Sequence, residues 1–285
     1  MRYALIDQHR KEWRLPFACE ALAVSVSGYY RWRRHPGRFG RFRRLRVLRP
    51  AIHAAYAASR QTYGSPRIHA AINAQGVKCC VNTVAKIMRE DGLCARRRRR
   101  YKATTDSSHR LPVAENLLAR RFERNAPNQV WVSDITFIPT DEGWLYLATT
   151  LDLYARRIVG WSMRERMTSD LVIDALQMAV AQRHPPAGLM HHSDRGSQYA
   201  SSAFQRMLAA HGMVCSMSRQ GEVYDNAVME SFYATLKREL IREGKYATRD
   251  EAKKAIFEWI EVFYNRQRLH SSLGYRSPAD YEAAA

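Results

Sequence analysis

Cysteine is scarce in this 285-residue chain, which has only Cys19, Cys79, Cys80, Cys94 and Cys215. None sits in the paired Cys-x-x-Cys and His spacing of a zinc site. An odd count with two adjacent thiols does not suggest a disulfide framework, so free thiols in a reducing cytoplasm are expected. Long apolar runs are also missing. No stretch of about 18 uncharged apolar residues occurs, so no membrane span is expected. Arg2 and Asp7 flank only a short apolar run at the start, which is not a signal-peptide pattern. No leucine heptad run is present to build a coiled coil. Acidic residues are depleted at the front, where residues 1–125 hold 28 Lys and Arg against 8 Asp and Glu. Residues 126–285 hold 18 against 19, so the net charge of +19 belongs to the front. A basic surface of that size points to nucleic acid, with solubility or a partnerless basic tail as the bland alternative. What is present suffices for folding: 46% of residues are hydrophobic, enough for the cores of one or two domains.

Residues 1–50 read as an N-terminal helical basic region. Phe17 to Arg34 has the shape of a helix, a turn at Ala23-Val24-Ser25 and a second helix with Ser25 as N-cap. This is either a helix-turn-helix that lays Ser27 to Arg34 on DNA or a plain helical hairpin. Arg38, Arg41, Arg43, Arg44, Arg46 and Arg49 form a run typical of a solvated helix face or a linker. Residues 51–95 read as a second, helix-turn-helix-like unit. Its signals are Tyr63 to Ile72, Gly76, and Val81 to Leu93. There Asn82 is the expected cap, Val84, Ile87 and Met88 the apolar face, and Gly92 the stop. Arg67, Asn82, Thr83 and Lys86 are its candidate DNA contacts. Residues 96–127 read as a basic linker. The block Arg96, Arg97, Arg98, Arg99 and Arg100 stays extended until a polyanion neutralises it. The bland reading is a linker with no single role; a linker that orders on DNA by gripping phosphates, with a steep salt dependence, is expected.

Residues 128–245 read as an α/β core. Strands are expected at 130–139, 144–153 and 156–164, the first two joined in a hairpin at Asp141-Glu142-Gly143. A helix at 168–183, capped by Thr168 or Ser169, ends at Pro185-Pro186. A strand at 188–193, a helix near 201–211, a strand at 213–217, a loop at 218–224 and a helix at 225–242 follow. Three meandering strands, then alternating helices and strands, predict a mixed sheet flanked by helices. The extension 246–285 opens on a long amphipathic helix with Ile256, Trp259, Ile260 and Phe263 on its apolar face. It either packs on the core or offers Arg266, Arg268, His270 and Arg276 to DNA.

Three acidic residues stand out in the core. Asp134 lies inside the apolar run Val130 to Ile138, Asp194 follows the apolar stretch at Leu189, and Glu230 sits in a helix-like segment. The intervening gaps are 59 and 35 residues. A carboxylate within a strand is costly unless its charge is compensated. Hard divalent cations such as Mg²⁺ are the usual compensators. The bland readings are an edge or salt-bridged aspartate and a solvated glutamate.

The motifs Trp131-Val-Ser-Asp-Ile-Thr136, His192-Ser-Asp-Arg-Gly-Ser-Gln-Tyr199 and Tyr224-Asp-Asn-Ala-Val-Met-Glu-Ser231 occur in this order, and Lys237 stands seven residues after Glu230. With the 35-residue spacing and the tail Phe263-Tyr-Asn-Arg-Gln-Arg-Leu-His-Ser-Ser-Leu-Gly-Tyr275, the chain resembles the catalytic, orfB-type subunit of the insertion-sequence-three family of DDE transposases, within the integrase catalytic core superfamily. The resemblance implies a ribonuclease-H-like mixed-sheet core behind a helical DNA-binding region. It implies Asp134, Asp194 and Glu230 as catalytic metal ligands for two Mg²⁺ ions, with Mn²⁺ as a substitute, roughly 3.5–4 Å apart across a scissile phosphate. It further implies 3′-end cleavage and strand transfer on double-stranded DNA, at element ends and target, without a covalent protein–DNA intermediate. A homo-oligomeric synaptic complex, an upstream orfA-type partner, separate or fused, and a bacterial cytoplasmic, nucleoid-associated location are expected on the same ground.

Lys237 is expected to contact a DNA phosphate or to be simply solvated. Asn226, four residues before Glu230, either orients that carboxylate or a phosphate, or caps the helix. His191 and His192 suit packing or hydrogen bonding better than a hard metal. Arg195, Ser197 and Gln198 shape the site or touch DNA. A nuclease of the same fold and a non-catalytic DNA-binding regulator are the alternative readings.

Overall fold

A computed structural model describes residues 2–34, 36–95, 112–219, 223–241 and 246–285, without the side chains of 36–44 and 223–224. Arg96 to Arg100 therefore lie outside the described residues, as do parts of the expected loop at 218–224 and the end of the expected helix at 225–242. The chain divides into two units, Met1–Ala95 and Arg96–Ala285. Among the described residues no helix is long and apolar enough to cross a membrane.

The first unit is helical. α1 (Arg2–Gln8), α2 (Leu15–Ala21) and α3 (Val26–Arg34) enclose Ile6, Ala18, Cys19 and Tyr29. Ser25 caps α3, accepting the Gly28 N–H at 3.0 Å. The Tyr29 hydroxyl donates to Asp7 at 2.5 Å. Burial first, then that bond, push its pKa to about 12. α4 (Pro36–Ala58) runs through the expected boundary at residue 50, with Pro50 inside it. An interior proline removes a helix hydrogen bond. Burial of Leu48, Ile52 and Ala55, spaced i, i+4, i+7 across Pro50, outweighs that loss. α5 (Ser65–Ala74) and α6 (Val81–Glu90) complete the unit, with Ile68, Ile72, Val84, Ile87 and Met88 buried. Helix α6 starts two residues earlier than expected. Cys80 is its N-cap residue, and Asn82 lies exposed in the first turn. Gly92 adopts φ +68° and ends it, as expected.

The second unit is built on a five-stranded sheet in the order β3-β2-β1-β4-β5. β1 (Val130–Thr140), β2 (Gly143–Asp152) and β3 (Arg157–Arg164) form an antiparallel meander. Gly143, at φ +108°, closes the β1/β2 turn. β4 (Met190–Ser193) adds parallel to β1, and β5 (Val214–Met217) parallel to β4. α7 (Ser169–Arg183) lies over β2 and β3. It approaches so closely that a Cβ on Gly160 would come 2.1 Å from the Ala175 carbonyl oxygen. α8 (Ser197–Ala200) and α9 (Ser202–Ala210) join this layer, and Trp131, Ala148, Leu176, Tyr199 and Phe204 pack within it. α8, the short helix directly after Asp194, has no counterpart in the sequence reading. Four residues are too few to show a helical period.

The opposite face carries α10 (Ala227–Glu239), entered through a 3₁₀ turn at Val223–Asn226, and α11 (Arg249–Glu258). Neighbouring residues of β2 decide this placement. Ala148 belongs to the α7 cluster, whereas the next residue, Thr149, bonds Tyr233 of α10. The expected long helix of the extension is α11 followed by a π-helical segment, Trp259–Tyr264, which buries Trp259, Ile260, Phe263 and Tyr264. The Asn265 side chain then pairs with the edge strand, accepting the Ile158 N–H at 3.0 Å and donating to its carbonyl at 2.9 Å. A 3₁₀ turn at Ser271–Leu273 and α12 (Pro278–Ala283) close the fold.

The extension packs on the core, and Arg268 is buried rather than turned to solvent. Its Nε and Nη2 grip Glu239, the last residue of α10, at 2.9 and 2.8 Å. Both side chains are almost fully buried. Removing one member of such a pair strands a buried charge and typically costs about 3–5 kcal/mol. Glu239→Ala is therefore expected to lower stability to denaturant by that order. A loss below about 1 kcal/mol, the range of exposed ion pairs, would contradict the burial argument.

Candidate active site

Asp134 occupies the middle of β1, the strand paired on both sides. Its backbone faces Thr149 in the β1/β2 register, and its Oδ1 accepts the Ile135 N–H at 2.8 Å. In the parallel pairing, Val130, Trp131 and Val132 stand level with Met190, His191 and His192. Continuing that register by two residues sets Asp194 level with Asp134. Asp194 lies just past β4, where its Oδ1 accepts the Gly196 N–H at 2.9 Å. A Cβ on Gly196 would come 3.0 Å from that oxygen, so the tight turn suits glycine. The chain leaving β4 is fixed again by Arg195, whose Nε donates to the Ser218 carbonyl at 2.7 Å.

Glu230 stands exposed on the first turn of α10. Partial desolvation raises its carboxyl above the ordinary value. Asp134 is raised much further. Burial contributes most, the Asp194 and Glu230 charges add to it, and only the Ile135 N–H and the Lys237 charge oppose them. The three expected carboxylates thus share one electrostatic neighbourhood. Among the described residues, however, no three His, Cys, Asp or Glu side chains are gathered tightly enough to form a metal-ligand group. Asp134 and Asp194 fit a hard divalent cation by donor chemistry, as oxygen ligands whose mutual repulsion a cation would relieve. Glu230 belongs to the same field without closing the set.

The remaining expected residues divide clearly. Lys237, half-buried two turns beyond Glu230, holds its Nζ 4.8 Å from the Phe137 ring centroid. Burial lowers its ammonium pKa, and the Asp134 charge partly restores it. Asn226 is buried at the N-cap of α10, makes no side-chain cap bond, and its Oδ1 has no partner among the described residues. Lys86 is exposed and lies 3.8 Å from Glu90, while Arg67 leans 5.6 Å over the Tyr63 ring. These two belong to the first unit. Arg96, Arg97, Arg98, Arg99 and Arg100 lie outside the described residues. His191 and His192 are interior. His191 Nε2 meets Ser133 Oγ at 2.8 Å, and His192 meets the Ser216 and Ser218 hydroxyls. Burial holds them at about 3 and about 4, so both stay neutral. Gln198 bonds the Met167 carbonyl at 3.0 Å, and Ser197 opens α8 at the surface.

The structure adds residues that the sequence reading missed. Asp225, just before α10, is buried and accepts from Asn116, Arg120 and Arg219. Burial alone would raise its carboxyl, but the Arg219 and Arg120 bonds hold it below the usual range. Tyr233, one turn after Glu230, bonds the Asp134 carbonyl. Tyr199, buried with its hydroxyl unpartnered among the described residues, senses the charges of both aspartates. Asp225 and Tyr233 are visible in the motif around Glu230, but their partners lie too far off in sequence to be read.

The chain is similar to known proteins over most of its length. An integrase core domain model matches residues 124–222, a second integrase core domain model matches residues 211–278, and an HTH-like domain model matches residues 43–101. The insertion element IS600 uncharacterized 31 kDa protein of Shigella sonnei is 46% identical, covering 92% of this chain and 96% of that protein. The transposase InsF for insertion sequence IS3A of Escherichia coli (strain K12) is 41% identical, covering 99% of this chain and 98% of that protein. Among solved structures, a chain of the simian T-cell lymphotropic virus intasome, in complex with PP2A regulatory subunit B56 gamma, aligns with a TM-score of 0.47 at 16% identity. That alignment covers 75% of this chain and 70% of the other.

If repulsion between Asp134 and Asp194 strains the metal-free site, Asp134→Asn is expected to leave the melting temperature unchanged or higher. Added Mg²⁺ should raise the melting temperature of the unaltered protein and not that of the variant. Equal stabilisation of both by Mg²⁺, read by differential scanning calorimetry, would place the cation elsewhere.

Proposed function

The chain belongs to the IS3 family of insertion-sequence transposases, and from that premise we propose that it cuts element-end DNA and joins the resulting 3′-hydroxyls to target DNA in a divalent-metal-dependent reaction. The observation that carries this reading is the Asp134 carboxyl, driven well above its ordinary value by burial and then by the Asp194 and Glu230 charges. Asp134, Asp194 and Glu230 are the residues proposed to hold the cations, Mg²⁺ or Mn²⁺. Bound cations would neutralise the phosphate and favour an attacking hydroxyl in its deprotonated form. The protein's own part is positioning and charge, because phosphoryl transfer makes little covalent demand on it. β1 and β4 fix the two aspartates. α10 carries Glu230 above them and sets Lys237, a cation, two turns along the same helix. There Lys237 is proposed to hold a phosphate of the bound end.

The HTH-like domain supports DNA as the partner. Arg67 and Lys86 are its proposed phosphate contacts, Arg96 to Arg100 are proposed as further contacts, and Asn226 is proposed to act on DNA from the start of the catalytic helix. Assembly of two or more copies on paired ends, help from an upstream orfA-type product, and association with the nucleoid belong to the same proposal. A nuclease that hydrolyses without joining would use the same site, because water and a 3′-hydroxyl are interchangeable nucleophiles there.

Two measurements test this reading. Purified protein with a labelled element-end duplex and Mg²⁺ or Mn²⁺ should nick and join strands, and Glu230→Gln should slow both by roughly 10²–10³-fold or more. Nicking without joining would favour the nuclease. Binding without metal-dependent cleavage, even with the upstream product supplied, would leave a regulator. Separately, Lys86→Ala should weaken binding alike on all sequences and lower the log–log salt slope by about 1. An unchanged slope would remove Lys86 from the interface.

A further inference from the structure

Among the described residues no hydrogen bond or ion pair holds the Glu230 side chain, so its position depends on the placement of α10. One turn along, Tyr233 reaches into the sheet. Its hydroxyl lies 2.5 Å from the Asp134 carbonyl oxygen and 2.8 Å from Thr149 Oγ1. Thr149 is the register partner of Asp134, so the hydroxyl sits at the rung of the ladder that carries the aspartate. A phenol has one proton to donate. The shorter contact assigns it to the Asp134 carbonyl, and Thr149 then donates to the phenol oxygen. The chain of bonds runs from β2 through α10 to β1.

We propose that Tyr233 is a positioning residue that sets the height of Glu230 over Asp134 by docking α10 onto the Asp134–Thr149 rung. The inference rests on the assignment of Glu230 to the catalytic set. Packing alone does not require the hydroxyl, since Phe232 and Leu236 are already buried on the same helix and a phenylalanine would fill the Tyr233 site. The hydroxyl makes the docking specific in distance. A shift of about 1 Å in a ligand-bearing element can cost on the order of 10²-fold in rate.

The test uses the full chain with Tyr233→Phe, which keeps the ring and loses the hydrogen bonds. The variant should fold, with an unchanged circular dichroism spectrum and unchanged affinity for element-end duplex. Its single-turnover nicking rate should fall about tenfold or more with KM for DNA unaltered. The Mn²⁺ concentration giving half of the metal-induced rise in melting temperature should increase severalfold, a readout independent of turnover. Thr149→Val, which removes only the second bond, should show the same changes at smaller size, and Thr149→Ser should restore them. If Tyr233→Phe does not fold, Thr149→Val carries the test, and a wild-type rate and Mn²⁺ midpoint in it overturn the proposal. Tyr233→Phe matching the unaltered protein in both readouts, while Glu230→Gln is inactive, overturns the role of Tyr233 alone. Activity retained in Glu230→Gln would instead overturn the catalytic set on which it rests.

Discussion

A carboxylate in the middle of a central strand, near a second carboxylate just past the end of the neighbouring strand, is the constraint around which the catalytic unit is arranged. Burial disfavours the charge of Asp134, and Asp194 and Glu230 disfavour it further. Such a group persists because β1 is fixed on both sides. It pairs with β2 over its whole length, from Trp131 opposite Asp152 to Thr140 opposite Gly143, and with β4 at its start. Ser133, the residue before Asp134, bonds Thr150 on one side and His191 on the other. The backbone that presents the charge is therefore held by ladder bonds and by buried hydroxyls, while the charge itself is offset only in part, by the Ile135 N–H and the Lys237 charge.

The placement of the third carboxylate follows a different logic. Glu230 is exposed, yet its helix is pinned along its length by buried polar contacts. Asp225 ties the entry to Asn116, Arg120 and Arg219. Tyr233 ties the second turn to β1 and β2, and Glu239 ties the last residue to Arg268. Buried polar groups are tolerable only when satisfied, and these three are satisfied by partners from separate parts of the chain. The C-terminal extension thus contributes to the site at a distance, by holding the far end of the glutamate's helix.

Much of the architecture was legible because local signals and tertiary packing agree. The β1/β2 hairpin follows from two strand-like runs around a glycine that adopts positive φ, and α7 from an apolar stripe of Leu171, Ile173, Leu176, Met178 and Ala179, of which Leu171, Leu176 and Ala179 are buried. Where the two disagree, packing prevailed. The basic region is expected to end at residue 50, but the buried stripe of α4 carries the helix across that point. Arg268 reads as one of the cations that the extension could offer to DNA, but its partner lies 29 positions earlier in sequence. The two aspartates could be picked out as strand carboxylates. Tyr233 could not be given its role, because Thr149 lies 84 positions away and only the sheet register brings them together. Sequence spacing likewise says nothing of how tightly the three carboxylates gather.

The central claim is that Asp134 and Asp194, with Glu230, hold divalent cations for DNA strand transfer. Anomalous diffraction from crystals of the full chain grown with Mn²⁺ and an element-end duplex tests it most directly. An anomalous peak is expected between the Asp134 and Asp194 carboxylates, with the Glu230 carboxylate drawn toward the bound metal. No peak at saturating Mn²⁺, or a peak held by other residues with Asp134 and Asp194 unligated, would contradict it.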